Sequence, residues 1–138
     1  MQTYIHKVHY YETDRMGITH HSNYIRWMEE ARVSFLNQAG YGYKRMEDEG
    51  VISPVLAVDC KYKQTTTFDD EISIDVRVKD FNGVRLVLEY TMKKVPDASI
   101  VLIGTTEHCF LDEKSHPVRM KKEFPELYGL LMDLLAAE

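Results

Sequence analysis

One stretch of this chain carries a long helical repeat of apolar residues, and most of the sequence after it alternates with period two. Tyr24, Met28, Ala31 and Phe35 recur at i, i+4, i+7 and i+11, and Trp27 widens the stripe. Arg26, Glu30 and Asn37 lie on another side. Ser22 and Asn23, both good N-caps, mark where the helix begins, and Gly40 is placed to end it. The expected helix covers about 17 residues, or about 26 Å at 1.5 Å per residue. Such a helix must bury its stripe, and the rest of the chain offers chiefly strands to bury it against.

Before the helix, Thr3 to about Tyr10 reads as a strand, with Tyr4, His6, Val8 and Tyr10 on one face. After it, a short second helix runs from Lys44 to about Glu49 and stops at Gly50. Ile52, Leu56, Val58, Cys60 and Tyr62 then alternate with polar or smaller residues, and Thr65 to Asp70 reads as a loop. Ile72, Ile74, Val76 and Val78 alternate with Glu71, Ser73, Asp75, Arg77 and Lys79 in a clean half-buried strand, and Asn82-Gly83 marks a hairpin turn. Val84, Leu86, Leu88, Tyr90 and Met92 form the return strand, and Pro96-Asp97-Ala98 turns the chain again. Ser99 to about Leu111 is a long strand with a continuous apolar start, as expected near the middle of a sheet. Leu127, Leu130, Leu131, Leu134 and Leu135 make an amphipathic terminal helix. Strand, long helix, then a run of antiparallel strands is an α+β order that closes as helix on sheet.

Composition narrows the function classes. The 138 residues fit one domain, 1–138, with an adequate core. Hydrophobic residues are 44% and charged residues 28%, as in a soluble globular protein, and no apolar run nears the roughly 20 residues of a membrane helix. Met1 to Lys7 lacks an apolar signal core, which argues for a cytoplasmic protein. The net charge of −5 argues against general nucleic-acid binding but leaves room for a phosphate-bearing ligand on a local basic patch. Cys60 and Cys109 lie in strand-like runs without a CxxC, and read as buried, reduced cysteines.

The segment Tyr10-Tyr11-Glu12-Thr13-Asp14-Arg15-Met16-Gly17-Ile18-Thr19-His20-His21-Ser22-Asn23-Tyr24 concentrates the chemistry. A carboxylate beside the start of a helix can attack a carbonyl or activate water, while unpaired helix N–H groups hold the oxyanion. Asp14-x-x-Gly17-x-x-x-His21-x-Asn23-Tyr24 before a helix resembles the active-site signature of the 4-hydroxybenzoyl-CoA thioesterase family of hotdog folds, especially its short bacterial acyl-CoA thioesterase branch. The resemblance spans nearly the whole chain in element order. It implies a long central helix wrapped by an antiparallel sheet of about five strands. It also implies subunits joined edge to edge into a dimer, often paired into a tetramer, with sites at the subunit interface.

By the same resemblance, Asp14 is nucleophile or general base, and the backbone N–H of His21 points at the thioester oxygen. Asn23 and Tyr24 shape the start of the helix, and Arg85, after the Asn82-Gly83 turn, is a candidate for the CoA nucleotide, with Lys61 and Lys63 as weaker ones. The implied substrate is a small or medium acyl-CoA. The alternatives are an acyl-carrier-protein thioesterase and a non-catalytic acyl-CoA-binding module.

Each residue also has a plainer reading. Asp14 is an ordinary turn residue bonding to its own backbone. Gly17, which would supply a backbone conformation closed to larger residues or allow close approach of substrate, is more plainly an ordinary loop glycine. Asn23 is as easily a cap and Tyr24 as easily core, while either ring of the His20-His21 pair is able to face the site. No metal or other cofactor is expected: His6 and His9, three apart on an expected strand, face opposite sides, and His20 and His21 are adjacent. There is no G-x-S-x-G, P-loop or G-x-G-x-x-G turn.

Overall fold

The computed structural model describes residues 2–137. Its elements are β1 (Tyr4–Lys7), a 3₁₀ turn (Tyr10–Glu12), α1 (Ser22–Ala39), α2 (Tyr43–Asp48), β2 (Val55–Tyr62), β3 (Glu71–Phe81), β4 (Leu86–Val95), β5 (Ile100–His108), α3 (Met120–Glu123) and α4 (Pro125–Ala136). The five strands form one antiparallel sheet in the order β1-β3-β4-β5-β2. Consecutive strands pair as hairpins from β3 to β5, whereas β1 and β2 add at opposite edges. This is the α+β hotdog arrangement, with α1 laid across the concave face.

The apolar stripe of α1 meets the inward faces of the middle strands. Tyr24, Trp27, Met28, Ala31 and Phe35 are buried with Ile72, Ile74, Leu88, Tyr90, Met92 and Leu102 in one core. Gly40 ends the helix at φ 92°, a left-handed conformation that glycine adopts without strain. Gly104 on β5 answers a different need: a Cβ there would sit 2.5 Å from the Met28 side chain and from the Asp59 carbonyl. Leu127 and Leu131 of α4 close the far end of the core.

Several expectations change in the folded chain. The first strand stops at Lys7 rather than Tyr10, because Asp69 and Asp70 bond to both sides of Val8 and the chain then tightens into the 3₁₀ turn. Tyr10 therefore stands 76% exposed instead of sharing a buried face with His6 and Val8. The helix begins at Ser22, but neither Ser22 nor Asn23 caps it; His21 occupies that position in a helical conformation without a side-chain cap. Arg32, a charged residue of α1, is buried. The cysteines are unpaired but half-buried rather than buried. Strand β2 is exposed along most of its length because it is a sheet edge. Among the described residues, no helix is long and apolar enough to cross a membrane.

Candidate active site

The Asp14 turn is a closed structure. Thr13 and Thr19 form an isolated antiparallel bridge, the Asp14 N–H donates to Ile18 O at 2.9 Å, and the Gly17 N–H donates to Asp14 O at 3.0 Å. The Asp14 Oδ1 accepts the Met16 N–H at 2.8 Å, so the carboxylate does carry a turn bond. One oxygen thus fixes the side chain, and the other, Oδ2, carries no hydrogen bond among the described residues. Gly17 sits at φ 79°, and a Cβ there would meet nothing within 4 Å. Its requirement is the left-handed backbone rather than a close approach.

The loop after β2 docks this turn. Thr19 N–H donates to Thr66 O at 2.8 Å, and Thr19 Oγ1 lies 2.6 Å from Thr66 Oγ1. Tyr24 reaches the same Thr66 hydroxyl at 3.0 Å, and Thr67 Oγ1 donates to Gly17 O at 2.8 Å. Tyr24 is therefore both core and a brace for the turn. Thr19 and Thr66 were invisible to motif reasoning, since threonine in a loop carries no signal until its partner is placed.

At the start of α1 the two neighbouring histidines have different tasks. The His20 Nδ1 meets Ser22 Oγ at 2.9 Å and accepts the Ser22 N–H at 3.3 Å, so this ring does the capping. His21 lines an open concavity of about 310 Å³ shared with Tyr24, Tyr62 and Lys63. The His21 backbone N–H makes no hydrogen bond among the described residues, which leaves it available to an oxyanion at the positive end of the helix. Asn23 is buried and donates Nδ2 to Glu12 O at 3.0 Å and to His20 O at 3.2 Å. It ties the turn to the helix rather than contacting the concavity.

Arg85 stands elsewhere. Its guanidinium pairs with Glu107 and lies 3.8 Å from Asp80. Leu86 pairs with His108 on β5 and Tyr62 pairs with Leu102, so Arg85 and the concavity lie at opposite ends of β5, about 20 Å apart at 3.3 Å per residue. Among the described residues the cation that lines the concavity is Lys63. Asp14 does not line the concavity either.

The order of the chain also brings His6, His9 and Glu12 together, with their candidate ligand atoms within 4.8 Å of one another. The opposite-faces argument fails here because His9 lies beyond the end of β1. The bonding is that of a hydrogen-bond hub. Glu12 Oε1 meets His6 Nε2 at 2.9 Å and accepts the His9 N–H at 2.8 Å, and Oε2 accepts the Trp27 indole N–H at 2.7 Å. The His6 Nδ1 is engaged by Glu30 at 3.1 Å, and the His9 ring stacks on Tyr11. A cation would have to displace the donors that hold Glu12. Burial alone would push the Glu12 carboxyl up, but the donors from His9, Trp27 and His6 outweigh it and hold the group below its usual range.

Known proteins resemble this chain in sequence and in fold. The sequence profile of the Thioesterase-like superfamily matches residues 8–128. The chain belongs to the thioesterase-like superfamily. The putative acyl-CoA thioesterase YneP of Bacillus subtilis is 33% identical over 121 residues, covering 87% of each chain. A putative esterase of Aquifex aeolicus is 35% identical over 108 residues, covering 78% of this chain and 83% of that one. Among solved structures, a DHNA-CoA thioesterase from Staphylococcus aureus superposes with a TM-score of 0.92 at 27% identity, covering 97% of this chain and 90% of that one. This thioesterase is therefore a hotdog thioester hydrolase, and the matched span contains the Asp14 turn, the start of α1 and strands β2 to β5.

Proposed function

We propose that this thioesterase hydrolyses small or medium acyl-CoA thioesters, with Asp14 as the reacting carboxylate and the His21 backbone N–H as oxyanion donor. The observation that carries the reading is their placement on one braced connection into α1: a carboxylate with one fixed oxygen and one without a hydrogen bond, and an unpaired N–H at the helix start. The names of the Bacillus and Staphylococcus relatives point to the same substrate class. Water adds oxygen to the acyl carbon, the C–S bond breaks, and the CoA thiolate leaves and takes up a proton. Asp14 either attacks first, giving an acyl-carboxylate anhydride that water opens, or takes the proton of the attacking water. Both routes need the same open oxygen. One backbone donor to the oxyanion is worth about 2.7–4 kcal/mol of transition-state stabilisation.

The complete site needs a second copy of the chain. Val55, Leu56, Val58 and Tyr62 on edge strand β2 are 40–58% exposed, a long apolar edge of the kind that pairs with another strand. Antiparallel pairing of two β2 strands sets the Val55 end of one copy beside the Tyr62 end of the other. Val55 neighbours His108, which neighbours Leu86, so the pairing carries Arg85 of one copy toward the concavity of the next. A dimer, or a tetramer of such dimers, results. Light scattering should give two or four times the 16.1 kDa subunit mass, and Val58→Lys should release inactive monomers. A monomeric and active wild type would remove the interface from the reading.

The test of the chemistry is CoA release from butyryl-, octanoyl- and benzoyl-CoA by wild type and Asp14→Asn. Loss of a positioned acid–base group should slow turnover by about 10²–10⁴-fold with the fold intact. Equal activity in both proteins would take the chemistry off Asp14. No turnover of any acyl-CoA, with turnover of acyl-carrier protein, would replace the substrate.

A further inference from the structure

Glu12 is a carboxylate buried to 4% exposure with donors on every side, yet it touches no substrate-facing surface. Its side chain is held by three different parts of the molecule: the His6 ring on β1, the Trp27 indole on α1 and the backbone N–H of His9. Its main chain holds the site. The Glu12 carbonyl accepts the His20 N–H at 2.9 Å and the Asn23 side chain at 3.0 Å, and these residues lie just past the far end of the turn that carries Asp14. The Glu12 N–H in turn donates to His9 O at 3.0 Å. Both arms of the Asp14 turn, Thr13 to Thr19, therefore hang from one residue. On the other side of His6, Glu30 accepts the Tyr4 hydroxyl at 2.6 Å and lies 3.1 Å from the His6 Nδ1, locking β1 to α1 behind the hub. The His6 ring also lies against Trp27 with centroids 4.4 Å apart.

We infer that Glu12 is a positioning residue for the reaction, its clamped carboxylate fixing the Asp14 carboxylate relative to the His21 N–H. The inference rests on the proposed roles of Asp14 and His21. The physical requirement is strict. A reacting carboxylate displaced by about 1 Å loses on the order of 100-fold in rate, while binding of a CoA ester, which depends on contacts elsewhere, changes little. A charged acceptor suits the task better than a neutral one. The His9 and Trp27 N–H groups donate to different oxygens of the carboxylate, so an amide in its place would set its own N–H₂ against one of them.

The experiment compares wild type, Glu12→Gln and Asp14→Asn on octanoyl-CoA and benzoyl-CoA, with amide hydrogen exchange on each protein. Glu12→Gln should lower kcat about 30- to 100-fold with KM within about threefold. Exchange should speed up in residues 13–21 and stay unchanged in β3, β4 and β5. Trp27→Phe, which removes the Oε2 donor together with part of a buried ring, should lower kcat about fivefold and stands in if Glu12→Gln does not fold. Wild-type kcat in a folded Glu12→Gln protein overturns the inference. So does a loss of kcat accompanied by faster exchange spread evenly over the sheet, since that is general destabilisation. An active Asp14→Asn removes the reading of Asp14, and the exchange pattern at residues 13–21 then decides the positioning role alone. The same pattern decides it if wild type turns over neither ester.

Discussion

Two polar clusters are buried against α1, and they are built on opposite plans. The first is the anionic hub at Glu12, where a carboxylate receives the His6, His9 and Trp27 donors. The second is centred on Arg32, a buried guanidinium whose hydrogen-bond partners are tyrosine hydroxyls. Its Nε donates to Tyr43 Oη at 2.7 Å and its Nη1 to Tyr90 Oη at 3.0 Å. Tyr90 continues to Thr106 at 2.7 Å, and Thr106 to the His108 Nε2 at 2.8 Å. Burial opposes the Arg32 charge, and the Tyr90 and Tyr43 hydroxyls more than offset it. Burial first, and then the Arg32 charge, push His108 down to about 4. The Glu12 hub is continuous with the Asp14 turn through its own main chain, whereas the Arg32 chain runs across the sheet through α2, β4 and β5 and touches no residue of the turn. A buried charge can thus serve a site or serve the scaffold, and the backbone bonds of its neighbours decide which.

Arg32→Ala puts this contrast to its most severe test. Loss of a large buried side chain and of the partner of two hydroxyls should cost about 3–5 kcal/mol in urea unfolding, with kcat of the folded protein nearly unchanged. A tenfold fall in kcat would join the two clusters into one machine. The next effect is a pH dependence. His108 titrates near 6.5 when unfolded and about 4 when folded, so folding favours its neutral form. Its contribution is complete above pH 6.5, declines as the pH falls toward 4, and is constant below that. Wild type should therefore lose roughly 2–3 kcal/mol more than His108→Asn between pH 7 and pH 4. Parallel curves for the two proteins would mean that this ring is not what the Arg32 chain keeps neutral. The smallest effect is expected from Thr66→Val, which removes the hydroxyl shared by Thr19 and Tyr24. About 1–2 kcal/mol should be lost, with a smaller fall in kcat than for Glu12→Gln. An equal fall would show that the loop, rather than the Glu12 hub, sets the position of the Asp14 turn.

The legible parts of the fold were the local ones. The stripe Tyr24, Trp27, Met28, Ala31 and Phe35 announced α1 and its buried face, and Asn82-Gly83 announced the turn between β3 and β4. The turn-and-helix signature around Asp14 announced the family, because its spacing is read within a few residues of chain. Period-two alternation in β2 declared a strand but not its exposure: Leu56 and Val58 look like core residues until β2 is found at the edge of the sheet. Arg32 gave no sign of burial, since a cation on a helix is ordinarily solvated and only the Tyr43 and Tyr90 hydroxyls make its position tolerable. Glu12 lay inside the segment already singled out, yet its partners come from residues 6, 9 and 27, and no linear pattern reveals that they converge.

Local sequence was enough to dictate the long helix, the β3–β4 hairpin, a glycine where the Asp14 turn needs one, and a carboxylate beside a helix start. Those depend on backbone preferences and on side-chain periods shorter than one element. Strand order, the exposed edge at β2, the division of labour between His20 and His21, and the clamp that makes Glu12 the root of the Asp14 turn came only with the assembled fold. Those depend on contacts between residues distant in the chain, where a donor and an acceptor acquire meaning only after folding removes both from water.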